Sequence, residues 1–254
     1  MTMNKTVLAL VAILTTTKPI MAAEINIMSG GAPKEALAVL IPQFEKQTGH
    51  RIKMTYAVIS VLQQKLAAGE TPDMVLLPTS AIAEQAKAGK LKAEGSAPFG
   101  TVRIVAIVKD GAPQPDISTE QAFRDTLLKA NSIVYSTPTA TPSGAHMARV
   151  VARLGIAEAV EKKVTYRPAL DSGVEMVADG KAEIGIYPSS EVVHVKGVTR
   201  VGALPDAVQL NLVYGGAVSA ANPAPEPALA FIAFLADKAN AKVWRDAGFD
   251  PPGN

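Results

Sequence analysis

The stretch Glu24–Phe44, EINIMSGGAPKEALAVLIPQF, decides the fold. Ile25 and Ile27 alternate with polar neighbours, a strand pattern, and Ser29-Gly30-Gly31 is a turn. From Pro33 onward, Leu37, Leu40, Ile41 and Phe44 recur at three- and four-residue spacing and make one apolar helical stripe. Pro33 suits a first helical position. Pro42 falls inside the pattern, where a proline is expected to kink or break the helix. A strand, a glycine turn and an amphipathic helix form the opening of an α/β unit.

The unit repeats along the chain. Thr48-Gly49 ends the helix and RIKMTY (51–56) alternates as a strand. Residues 60–68 read as a helix stopped by Gly69, DMVLL (73–77) as a buried strand, and 81–88 as a helix stopped by Gly89. VRIVAIV (102–108) is a long apolar strand, followed by the turn-rich GAPQPD. Helices are expected over 123–129, 145–154 and 174–179, and strands over 132–135, 164–166 and 183–187. Residues 137–144 read as a polar turn and 191–195 as a short element. A strand or strand pair covers 209–218, and two helices, 227–236 and 239–246, close the chain. This alternation implies parallel-rich sheets with covering helices. Turns near 95–100 and 111–116 and the stretch 197–206 are the boundary candidates, and they divide the chain into three. A middle segment inserted between two parts of one lobe fits that division.

Residues 1–23 read as an export signal: Lys5, an apolar run Val7–Leu14, then Ala22 and Ala23, with cleavage after either alanine. The run is too short to span a bilayer, and no later stretch is long and apolar enough. Removing Lys5 and Lys18 leaves 23 basic against 23 acidic side chains. A balanced charge and 5% aromatics exclude an obvious nucleic-acid surface. The chain has no cysteine, hence no disulfide, thiolate metal site, cysteine nucleophile or lipidated N-terminal cysteine. Its three histidines, His50, His146 and His194, are too scattered for a histidine metal site. No metal and no cofactor is expected. The setting implied is the periplasm of a two-membraned bacterium.

No GxSxG, HExxH, Walker or GxGxxG motif is present, and no spacing sets a nucleophile beside a base, so an enzyme is not expected. The positive signal lies in turns at strand ends: Ser29-Gly30-Gly31-Ala32, Ser60, Pro142-Ser143-Gly144 and Asp171-Ser172-Gly173. Free N–H groups at a helix start attract an anion, glycine admits close approach, and serine adds a neutral donor. The same residues are also ordinary caps and turn formers. His146 reads as a helix-end residue and Arg103 as a strand-edge ion pair. Tyr187 stands at a strand end, where it suits the core as well as a ligand.

The order of SGGA, GETPDMVLL, AGKL, GAPQPDIS, TPSG, DGKAEIGIY and FLADKANAKVWRDAGFDPP resembles the periplasmic molybdate-binding-like receptors of ABC importers, which are type II periplasmic binding proteins. The resemblance covers nearly the whole mature chain. It implies two α/β lobes, one of residues 24–103 and 205–254 and one of 104–204. Two strands would cross between them, near 102–108 and 204–212. It also implies a cleft where hydroxyls and backbone N–H groups hold a small anion, a hinge closure, and delivery by a monomer to a membrane permease with its ATPase. Ser29, Gly30, Gly31, Ala32 and Ser60 on one lobe and Ser143, Gly144 and Tyr187 on the other are the ligand residues carried over. A molybdate- or tungstate-like oxyanion is the favoured ligand. Ala32 stands where such binders carry a first-turn serine, the second-turn hydroxyl falls at Ile59 or Ser60, and Pro188 stands where they carry tyrosine, with Tyr187 one residue before, so a small carboxylate is the alternative. A sensory or adhesion module on the same fold is a further one.

Overall fold

The computed structural model describes residues 22–168 and 172–251; most of the expected leader (1–21) and Asp171 of the Asp-Ser-Gly turn lie outside the described residues. The chain begins β1 (Glu24–Ser29), α1 (Lys34–Thr48), β2 (Arg51–Tyr56), α2 (Ile59–Ala67), β3 (Met74–Pro78), α3 (Thr79–Lys87). The long β4 (Ala97–Lys109) follows, then α4 (Glu120–Lys129), β5 (Ile133–Ser136), α5 (Pro142–Arg153), α6 (Ala157–Glu161) and β6 (Val164–Arg167). Next come α7 (Gly173–Ala178), β7 (Ile184–Pro188), α8 (Ser189–Val192) and β8 (Val198–Ala203). A 3-10 turn leads to β9 (Asn211–Val218), α9 (Glu226–Ala236) and α10 (Ala241–Asp246).

The strands run in the order β2-β1-β3-β9-β4-β7-β5-β6, with β8 also on β4. β1 lies parallel between β2 and β3, and β5 lies parallel between β6 and β7. β9 and β4 are the antiparallel exceptions that join the two parallel groups. Every residue of β3 is buried, as befits an inner strand. Ile25 and Ile27 of β1 pack with Leu37, Leu40 and Phe44 of α1 in the largest apolar cluster. Phe44 meets Phe231 of α9 at 4.8 Å, and Phe99 stacks on Trp244 of α10 at 4.5 Å, so the chain's return seals this face.

Several expectations are corrected. Pro42 does not break α1, which runs from Lys34 to Thr48. Pro42 and Ala38, whose carbonyl loses its usual N–H partner, both lie on the exposed face, where water can serve instead. Pro142, Ser143 and Gly144 are the first turn of α5 rather than a preceding loop. Thr141 is its cap, accepting from the Gly144 N–H at 3.0 Å. Residues 198–203, within the boundary stretch 197–206 and without an expected element, form β8 against β4. Residues 209–218 yield one strand, β9. Arg103 does pair at the strand edge, with Asp250 at 3.0 Å.

β4 changes partner in mid-strand. Up to Arg103 it pairs with β9; from Ile104 it pairs with β7, and from Val105 with β8. Ile104 is fully buried, and opposite it Pro188 has no N–H to give. The Leu204 N–H donates to the Ile104 carbonyl at 3.1 Å instead, and the Gln209 side chain completes the pairing. The Ile104 N–H donates to Gln209 Oε1 at 3.0 Å, and Gln209 Nε2 donates to the carbonyls of Ile104 and Leu204 at 3.1 and 3.2 Å. One amide therefore ties the outgoing strand to the returning chain. Gln209→Ala is expected to lower stability by about 1–3 kcal/mol, because buried backbone groups lose partners. A urea midpoint equal to the wild type's would show that the clamp is dispensable.

Candidate functional site

Two chambers share one cleft. The smaller, about 30 Å³, lies where α1, α2 and α5 begin: Gly31, Ala32, Val58, Ile59, Thr141 and Ser143 line it, closed by Pro188, Glu191 and Tyr214. The larger, about 170 Å³, runs from Gly31, Lys34 and Glu35 across to Ser172, Gly173, Glu175, Tyr187, Ser190, Glu191 and His194. Gly31 and Glu191 line both chambers and mark the throat between them.

The small chamber is built for negative charge. α1 follows Pro33 and α2 follows Val58, and neither residue supplies a capping oxygen. Orphan N–H groups and the positive ends of these helices thus face a common space. The large chamber is mixed. Lys34 and His194 bring positive or neutral donors, and Glu35, Glu175 and Glu191 bring carboxyls. Ser190 is 3% exposed, and its Oγ has no hydrogen-bond partner among the described residues. A buried hydroxyl left so on a chamber wall calls for a partner from whatever fills the chamber, water or solute.

The ligand residues carried over from the sequence take different places. Gly31, Ala32, Ser143 and Tyr187 line the chambers. Ser143 also contacts Thr141 Oγ1 at 3.1 Å. Ser29 is fully buried, and its hydroxyl donates to the Gly30 carbonyl at 2.8 Å. Ser60 stands in the first turn of α2 and reaches the Ala140 carbonyl at 3.4 Å, linking α2 to the loop before α5. Gly30 and Gly144 are packing glycines. A Cβ on Gly30 would lie 2.7 Å from Ile59 Cδ1, and one on Gly144 would collide with the carbonyls of Ser136 and Thr137. Gly173 likewise makes room for the Tyr187 hydroxyl. His146 serves the fold, with Nε2 and the Val208 carbonyl 2.8 Å apart.

Lys34, Glu175, Ser190, Glu191, His194 and Tyr214 had no motif to mark them. The available signal was position: Ser190 and Glu191 follow directly on β7, at the strand end where α/β sheets hold ligands. Burial, and after it the nearby Glu175 charge, push the Glu191 carboxyl up to about 7. Burial and then Glu191 push the Tyr214 hydroxyl well above the usual phenol range.

An α/β binding fold with an anion-seeking cleft between two strand groups defines the class. The chain matches the family of bacterial extracellular solute-binding proteins over residues 25–250. It belongs to that family. It is 32% identical to a Pseudomonas protein named aconitate isomerase, covering 96% of this chain and 95% of that one. It is 25% identical to the molybdate-binding protein ModA of Azotobacter vinelandii over 67% of each chain. The sulfate-binding protein SubI of Mycobacterium tuberculosis superposes with a TM-score of 0.74 at 22% identity, covering 91% of this chain and 88% of that one. No helix among the described residues is long and apolar enough to cross a membrane.

A raised carboxyl means the folded protein holds its proton more tightly than the unfolded chain does. Wild-type stability should therefore fall as pH rises from about 4.5 towards about 7 on this group's account. Glu191→Gln removes that loss, so its advantage over wild type in melting temperature should grow between pH 5 and pH 8. An equal difference at both pH values would contradict the assignment.

Proposed function

We propose that the chain is the periplasmic solute-binding component of an ABC importer, exported by residues 1–23, and that its ligand is a small polycarboxylate. The division is residues 24–103 with 205–254 as one lobe and 104–204 as the other, acting as a monomer that hands its ligand to a permease and ATPase. The observation that carries the ligand class is the two-chamber cleft. A water's share of liquid volume is about 30 Å³, so the larger chamber has room for about six water-sized groups and the smaller for about one. A five-atom metal oxyanion leaves part of this space empty. A tricarboxylate, with one carboxylate at the helix starts and the rest beyond the throat, fills it. The full-length likeness to a protein named for aconitate supports the same class, and it moves the metal oxyanion of the sequence resemblance into second place.

A second reading has its own observation. Glu191 is an acid–base group at the throat, and the Pseudomonas relative bears an enzyme's name. On that reading the cleft converts what it holds.

The test is thermal shift of the protein starting at Glu24 against molybdate, tungstate, sulfate, phosphate and a set of di- and tricarboxylates. A ligand at about 100 times its Kd adds about 2.7 kcal/mol, and so raises Tm by roughly 5–10 °C in a chain of this size. The expected result is a shift with tricarboxylates. A shift with the metal oxyanions alone would restore the oxyanion reading. Ser190→Ala is expected to weaken tricarboxylate binding by about 1–3 kcal/mol, and unchanged affinity by calorimetry would remove Ser190 from the site.

A further inference from the structure

Glu191 is the third residue of the short α8, which follows β7 without a gap, and it borders both chambers. The groups that share its surroundings come from every wall: Glu175 of α7, Tyr187 of β7, Tyr214 of β9, His194 beyond α8, and Lys34 with Glu35 at the start of α1. None of the ion pairs among the described residues includes Glu191. The Lys34 ammonium lines the same chamber, yet this carboxyl stays outside the ion pairs among the described residues. It faces the space where a ligand's carbon skeleton would pass from one chamber to the other.

We propose that the Glu191 carboxyl is the acid–base group of this cleft, moving a proton between the two ends of the allylic system of an unsaturated tricarboxylate. The inference rests on the second reading above. The balance is complete within the ligand and this one side chain. Glu191 as carboxylate takes a proton from the methylene carbon, and that C–H pair moves into the allylic system. The old double bond gives way as a new one forms, and the flanking carboxylate carries the negative charge meanwhile. The proton held on Glu191 then returns to the carbon at the other end, forming a C–H bond there. No oxidant, metal or second substrate is needed, and the new double bond can close in either geometry. The helix starts around the small chamber oppose the charge that builds up on the carboxylate seated there. An acid–base carboxyl works best when its proton affinity matches the working pH. Burial and the like charge of Glu175 shift Glu191 in that direction, which makes Glu175 a positioning residue for the reaction.

The experiment incubates the protein with cis-aconitate in deuterium oxide and follows deuterium at the methylene carbon and the appearance of the trans isomer by NMR. Calorimetry measures binding of the same acid in parallel. The expected result is exchange by wild type and loss of at least about a hundredfold in Glu191→Gln, with binding and the melting transition retained. Should that variant fail to fold, Glu191→Asp keeps the charge, shortens the reach and is expected to slow exchange sharply. Glu175→Gln is expected to keep exchange but move the rising limb of its pH profile to lower pH, a change that a merely structural role would not produce. Binding without exchange in wild type, or wild-type exchange in both Glu191 variants, overturns the acid–base assignment and leaves the binding proposal standing. Absence of binding overturns both.

Discussion

The architecture turns on a single exchange of partners in β4. A strand that serves two neighbours in succession must satisfy its backbone at the point of change, and that point is buried. Ile104 is that point, and the Leu204 N–H and the Gln209 amide supply what neither β9 nor Pro188 can. The cleft follows from this arrangement. Because β4 and β9 run between the two parallel groups, the carboxyl ends of β1, β5 and β7 bring the starts of α1, α5 and α8 to the same space.

The cleft combines two kinds of electrostatics. On one side, backbone dipoles and uncapped N–H groups offer partial positive charge that cannot be titrated away. On the other, a carboxyl with a raised proton affinity sits among further carboxyls, with Lys34 and His194 on the walls of the same chamber. The proposed roles divide the same way: the helix starts bear on holding an anion, and the carboxyl on proton transfer.

Much of the fold was legible because it rests on local pattern. The apolar stripe from Leu37 to Phe44 and the run at Met74–Leu77 announce their elements from spacing alone. β8 was not legible: its residues are half-exposed and of mixed character, and it exists because β4 offers it an edge. α6 is too short to show a period. The start of α5 was ambiguous because Thr-Pro-Ser-Gly serves equally as a turn and as a cap followed by proline at a first helical position. Gly31, Ala32 and Ser143, singled out through their turns, and Tyr187, singled out at its strand end, line the chambers. Glu191 escaped because nothing in its neighbours along the chain distinguishes it; its character comes from burial and from Glu175, both products of tertiary structure.

The contact between Ser60 and Ala140 has a mechanical consequence. It joins walls of the cleft that lie 80 residues apart in the chain, and at 3.4 Å it is a long, neutral hydrogen bond. Such a bond contributes about 0.5–1.5 kcal/mol at most, so it biases any equilibrium in which these walls part by roughly tenfold or less. Ser60, placed outside both chambers, is a light tie between the walls rather than part of their lining.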